Sequence, residues 1–158
     1  MLFESINATA IHIAALKTKG SHGLSGLDAA AWRRMCCSFK GPSKELCKAV
    51  SKDAGRLASG PVDPHPLQAL TASRLVALNK CPGVRPIGVG EVSRRIIGKA
   101  ILSVISEDIQ QVASSYQLCA GQKGGCEAAV HAMRTFLEHD DTEGLLFVDA
   151  TNAFNTLN

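Results

Sequence analysis

The sequence predicts an α+β fold, mostly helical, with one small antiparallel hairpin and one further strand near the C-terminus. Three observations carry this. Apolar residues recur at helical spacing from Glu91 to Ala113, where Val92, Ile96, Ile97, Ala100, Ile101, Val104, Ile105, Ile109 and Val112 fill one face. Two β-prone runs, 74–80 and 84–89, flank the turn Cys81-Pro82-Gly83. The apolar run Gly144-Leu145-Leu146-Phe147-Val148 then stops abruptly at Asp149, as a buried strand does when it delivers one carboxylate to a sheet edge. A chain of 158 residues is one ordinary domain or a large fragment of a bigger one. At 46% hydrophobic it can bury a core, but at 4% aromatic Leu, Ile, Val and Ala must do the packing.

Residues 1–24 read as a flexible lead-in, with a short helix over 5–17 and a Gly/Ser-rich end, Lys19-Gly20-Ser21-His22-Gly23-Leu24-Ser25-Gly26. Ser25 or Asp28 can cap a helix running to about Phe39, with Leu27, Ala31, Met35 and Phe39 on one stripe and Trp32 off it, in a packing role. Gly41-Pro42-Ser43 breaks the chain, and a second helix runs from Ser43 to about Ser59. Its Lys44, Lys48, Lys52 and Arg56 recur every four residues and so form a basic ridge. Pro61, Pro64 and Pro66 mark a rigid connection before a short helix near 66–72. In the hairpin, Pro86 donates no ladder hydrogen bond and suits an edge strand. After the long helix, residues 116–125 form an irregular loop. A further helix over about 125–139 turns Ala129, Met133, Phe136 and Leu137 inward. There is no internal repeat.

The net charge of +3 conceals a division. Residues 1–100 hold 15 Lys and Arg against 6 Asp and Glu, and residues 101–158 hold 2 against 8. A basic front and an acidic rear suit a polyanion at one surface and metal or solvent at another, although two solvated faces would read the same way. Six cysteines form no C-x-x-C pair and show no paired His spacing, which argues against zinc. No secretory leader is visible, and no apolar stretch reaches the roughly 20 residues of a membrane span. The expectation is an intracellular protein, nuclear or cytoplasmic, with reduced thiols and no membrane partner.

Several enzyme classes place an Asp after an apolar strand. Dehalogenase-type phosphatases need a second Asp two residues on, where Thr151 stands. A P-loop is excluded because Gly121-Gln122-Lys123-Gly124-Gly125 has neither the spacing nor the hydroxyl after Lys. Gly88-Val89-Gly90-Glu91-Val92 falls short of a dinucleotide fingerprint. Read alone, Asp149 also fits a helix cap or a turn residue.

Four segments occur in a telling order: Val84-Arg85-Pro86-Ile87-Gly88-Val89-Gly90-Glu91, Arg94-Arg95-Ile96-Ile97-Gly98-Lys99, Gln117-Leu118-Cys119-Ala120-Gly121-Gln122-Lys123-Gly124-Gly125-Cys126-Glu127, and Phe147-Val148-Asp149-Ala150-Thr151-Asn152-Ala153-Phe154-Asn155. From about Ser25 to the end, the chain resembles the reverse-transcriptase domains of non-LTR retrotransposon-type elements. The resemblance implies an incomplete right-hand polymerase fold over 25–158: the fingers, including the hairpin, and the opening strand of the palm.

The resemblance also implies roles. Asp149 matches the first catalytic aspartate, a ligand of both magnesium ions, and the carbonyl of Ala150 helps hold the nucleotide-bearing metal. Phe154 stands where the family keeps the ring that excludes a ribose 2′-hydroxyl. Arg85 and Lys80 would contact the incoming deoxynucleoside triphosphate. Arg94, Arg95 and Lys99, with Lys44 and Lys48 from the basic ridge, would lie along the RNA template and DNA primer. These roles suit phosphoryl transfer, which asks mainly for positioning and charge neutralisation. Arg supplies a planar fork for phosphate, and basic surfaces give salt-sensitive backbone affinity. The family's later motifs are absent from these 158 residues: the template-seating Gln-Gly segment, the Ala-Asp-Asp turn and the thumb. The chain therefore reads as the front of a polymerase, ending just past its first catalytic motif and not expected to polymerise without the missing C-terminal part. The rival readings are a non-catalytic nucleic-acid-binding remnant and a decayed reading frame without a role.

Overall fold

A computed structural model describes residues 5–113, 117 and 123–148. The chain is mixed α and β, mostly helical, with one two-stranded antiparallel sheet. It divides into two compact units, 1–107 and 108–158. Ile6, Ile11, Ala14 and Ala15, in the stretch before residue 24, are buried in the core of the first unit.

In the first unit, α1 (Ala8–Lys17) starts at Asn7, whose side chain accepts from the N–H groups of Thr9 and Ala10. That cap satisfies two of the donors a helix start leaves unpaired. Helix α2 (Ala29–Cys37) starts at Asp28, which accepts from Ala31 N–H. Helix α3 (Gly41–Ser59) has no side-chain cap and carries Pro42 in its first turn. The three helices pack pairwise, and the first half of α5 (Val92–Ala113) completes the core. Ile11, Val92 and Ile96 are its largest fully buried apolar side chains; Ala14, Ala15, Ala29, Ala54 and Ala100 are also buried in it. Small residues let helices approach closely, which is how a chain with few aromatics reaches interior packing density.

The stripe expected on α2 is corrected. Ala29 and Cys36 are buried and Trp32 packs partly against the core, while Leu27 and Phe39 are exposed. The start at Asp28 fixes the phase of the helix, and α1 and α3 select the face 29/32/36. Phe39 instead lies under the Arg34 guanidinium, 5.7 Å from the ring centroid. Ser43 ties α2 to α3: its hydroxyl donates to Met35 O at 2.6 Å and accepts from Phe39 N–H at 2.9 Å.

Helix α4 (Pro64–Thr71) leads into the hairpin of β1 (Ser73–Asn79) and β2 (Val84–Gly90). Leu78 pairs with Arg85 and Ala77 with Pro86. Lys80 N–H donates to Gly83 O at 2.9 Å across the turn, where Gly83 sits at φ +99°, a conformation suited to glycine. Among the described residues each strand has one partner, so both are edges, which suits Pro86.

In the second unit, α6 (Gly125–Leu137) forms where expected, but its apolar stripe is not buried: Met133, Phe136 and Leu137 are exposed. The expected palm strand is also corrected. Residues 142–148 have no regular structure, and Leu146 is 89% exposed. A strand needs a partner to satisfy its N–H and C=O groups, and no described segment pairs with this one. Sequence periodicity marks the apolar residues; a facing element has to bury them.

Candidate nucleotide and nucleic-acid site

Directly opposed residues of an antiparallel pair share a face, so Arg74, Val76, Leu78, Arg85, Ile87 and Val89 lie together on one side of the hairpin. The Arg74 end of this face is partly covered, and the Leu78–Arg85 end is exposed. Arg85 and Lys80 therefore sit near the closed end of the hairpin, both exposed, with no side-chain partner among the described residues. The arrangement can present a guanidinium and an ammonium to a polyphosphate.

The basic ridge of α3 is also exposed. Lys48 pairs with Glu45 at 2.8 Å and Arg56 with Asp53 at 3.9 Å, both at the surface. Hydrogen bonding to Lys48 holds the Glu45 carboxyl below its ordinary range. Lys52 also acts electrostatically on Glu45, and Lys44 stands exposed beside them.

The α5 cations are placed differently. Arg94 donates to Thr71 O at 2.9 Å, at the last residue of α4. Arg95 donates to Lys19 O at 3.0 Å and to Ser21 O, and Lys99 donates to Lys17 O at 3.0 Å. Arg33 adds a bond to Thr18 O at 3.0 Å, and the Thr18 hydroxyl turns back to Ala14 O at 2.7 Å. Helices leave their last carbonyls without intrahelical partners, and the negative end of the dipole favours cations there. These side chains complete the ends of α1 and α4 and fix the loop that follows α1.

A carboxylate closes the same loop from the other side. Glu91, buried at the start of α5, accepts from Ser25 N–H at 2.8 Å and from the Ser25 hydroxyl at 2.7 Å. The Ser25 hydroxyl and then its N–H hold the Glu91 carboxyl below the ordinary 4.5. Gly23 permits the approach: a Cβ there would stand 2.6 Å from Glu91 Oε1. Sequence reading missed this lock; the glycines of 20–26 and an acid directly after Gly90 were its available signal.

Asp149, Ala150 and Phe154 lie outside the described residues, as does Gly121. Among the described residues no group of three or more His, Cys, Asp or Glu is arranged to hold a metal ion. The described residues by themselves do not make a magnesium site. Cys36, Cys37, Cys47 and Cys81 are free thiols. No described helix is long and apolar enough to cross a membrane. Comparison with known protein families finds no match, and neither does comparison with curated proteins.

Proposed function

We propose that residues 25–158 are the fingers and the opening of the palm of an RNA-directed DNA polymerase of the non-LTR retrotransposon type. The ordered motifs from Val84 to Phe154 support this reading. The observation that carries it is the exposed pair Arg85 and Lys80 at the closed end of a hairpin whose strands are both free edges. In this reading the pair contacts the triphosphate of an incoming deoxynucleotide, and Lys44 and Lys48 contact the template or primer backbone. Asp149 and the Ala150 carbonyl are the magnesium ligands within this sequence, and Phe154 selects against ribonucleotides. Nucleotidyl transfer asks for further carboxylates beside Asp149.

Photo-crosslinking of a deoxynucleoside triphosphate to the chain tests the reading. The expected result is labelling within 80–85 that falls about tenfold in Arg85→Ala and in Lys80→Ala, since each loses a charge-assisted phosphate contact. Labelling that avoids the hairpin, or ignores both substitutions, overturns it.

The second reading, a non-catalytic nucleic-acid-binding module, is favoured by the exposed ridge Lys44, Lys48, Lys52 and Arg56. It predicts RNA and DNA affinity that falls linearly with log salt and is unchanged by Asp149→Ala, measured by fluorescence anisotropy.

A further inference from the structure

In the first unit, α1, the end of α2 and the start of α3 line a half-open cavity of about 360 Å³. That is within the size range of small-molecule sites, roughly 300–1,000 Å³. The cavity lies apart from the hairpin, and neither functional reading above uses its interior.

The lining has an unusual charge balance. Lys40, Lys44 and Lys48 stand around it, Lys48 paired with Glu45 at 2.8 Å. Between the lysines are the thiols of Cys36, Cys37 and Cys47. Burial pushes the Cys36 thiol up to about 12 and raises the other two as well, so none supplies negative charge near neutral pH. Cys47 Sγ is satisfied by Cys36 O at 3.6 Å, and the same carbonyl lies 3.3 Å from His12 Nδ1. Thr9 and His12 are the other polar side chains toward α1. A concave, weakly polar interior edged by three cations selects an anion with an apolar or aromatic body.

Lys40 gives a second, independent indication. Its backbone is at φ 48°, ψ −110°, and among the described residues it is the one non-glycine with positive φ. Glycine would hold this conformation without the clash that a Cβ brings. A lysine kept there places a cation at the cavity edge at the expense of backbone strain, a combination that collects at ligand sites.

We propose that this cavity binds a phosphomonoester on a body of nucleoside size, with the phosphate at Lys40, Lys44 and Lys48 and the body against the thiols and His12. Two sources share that chemistry: a free mononucleotide and the 5′-phosphorylated end of a polynucleotide strand.

Isothermal titration of the full chain tests it, with adenosine monophosphate and adenosine as the primary probes. Saturable binding of the monophosphate is expected, at least about tenfold tighter than adenosine, because the phosphate contacts are charge-assisted. Lys40→Gly is expected to weaken monophosphate binding about tenfold while raising the melting temperature, since it removes the cation and the strain together. The opposite movement of affinity and stability separates a binding role from a structural one. Lys44→Ala should weaken binding without that rise, and Arg85→Ala should leave it unchanged, so failure here is distinguishable from failure of the hairpin reading. A 5′-phosphorylated oligonucleotide that binds more tightly than the monophosphate identifies the strand end as the source; one that binds no better identifies the free nucleotide. No saturable binding up to about 1 mM, or affinity indifferent to Lys40→Gly and Lys44→Ala, overturns the proposal.

Discussion

The two halves of α5 carry the same apolar stripe and have opposite fates. In the first half Val92, Ile96, Ile97 and Ala100 are buried against α1, α2 and α3 or their flanks, and Ile96 is 1% exposed. Toward the other end Ile109 and Val112 stand open, Val112 at 86%. The cations divide in a similar way. Arg94 and Lys99 complete helix ends and Arg95 holds the loop after α1, while Arg85 and Lys80 on the hairpin have no described side-chain partner. Residue type sets what a side chain can do, and the element opposite it sets which of those roles it takes.

The sharpest way to break the comparison is truncation at matched positions of the one helix. Ile96→Ala should destabilise the chain by about 3 kcal/mol, the transfer and cavity cost of a buried aliphatic side chain. Val112→Ala should change it by less than about 0.5 kcal/mol. Urea denaturation reads both, and equal losses would mean that the far half of α5 is covered after all.

The cations give the next largest effect. Arg95→Ala removes bonds to the carbonyls of Lys19 and Ser21 and should cost about 2 kcal/mol. Arg85→Ala should stay within about 0.5 kcal/mol by the same measurement. If Arg95→Ala were neutral in stability, its side chain would be available to phosphate, and the assignment of the α5 cations to fold integrity would fall.

Glu91 sharpens the comparison through pH. Its folded-state pKa is depressed below 4.5 by the Ser25 donors, so its contribution is present in full at neutral pH. That contribution should decline as pH drops below 4.5 and be gone once pH passes the lower folded value. Urea midpoints taken across this range should converge for the parent chain and Glu91→Gln, with a gap of about 1 kcal/mol at neutral pH. A constant gap would show that the Ser25 bonds are not charge-assisted.

The smallest stability effect is expected on the α3 ridge. Lys48→Ala loses an exposed pair with Glu45 and should cost no more than about 0.5 kcal/mol. Any larger change belongs in nucleic-acid affinity, where a lost phosphate contact also flattens the salt dependence.

Much of the local structure was legible in the chain. Asp28 caps a helix, Cys81-Pro82-Gly83 turns a hairpin, and the 3.6-residue period runs along α5, whereas α3 starts at Gly41, inside the expected break. Each depends on backbone sterics and donors within a few residues of each other. The stripe on α2, the coverage of α6 and the state of 142–148 were not legible, because each depends on what lies opposite. The positions of Arg85 on the returning strand and Lys80 at the turn were legible, whereas the carbonyl partners of Arg94, Arg95 and Lys99 were not.

The sequence by itself determined the mixed, mostly helical class, the order of its elements, the hairpin and the basic character of the front of the chain. Tertiary structure decided that α1 belongs to the core, that the α5 cations hold the ends of α1 and α4, that Ser25 and Glu91 lock the loop between them, and that three lysines surround one cavity. The physical reason is range. Capping, turn and periodicity signals act over about four residues, whereas Arg95 meets its carbonyls 74 and 76 positions away and Glu91 meets Ser25 across 66.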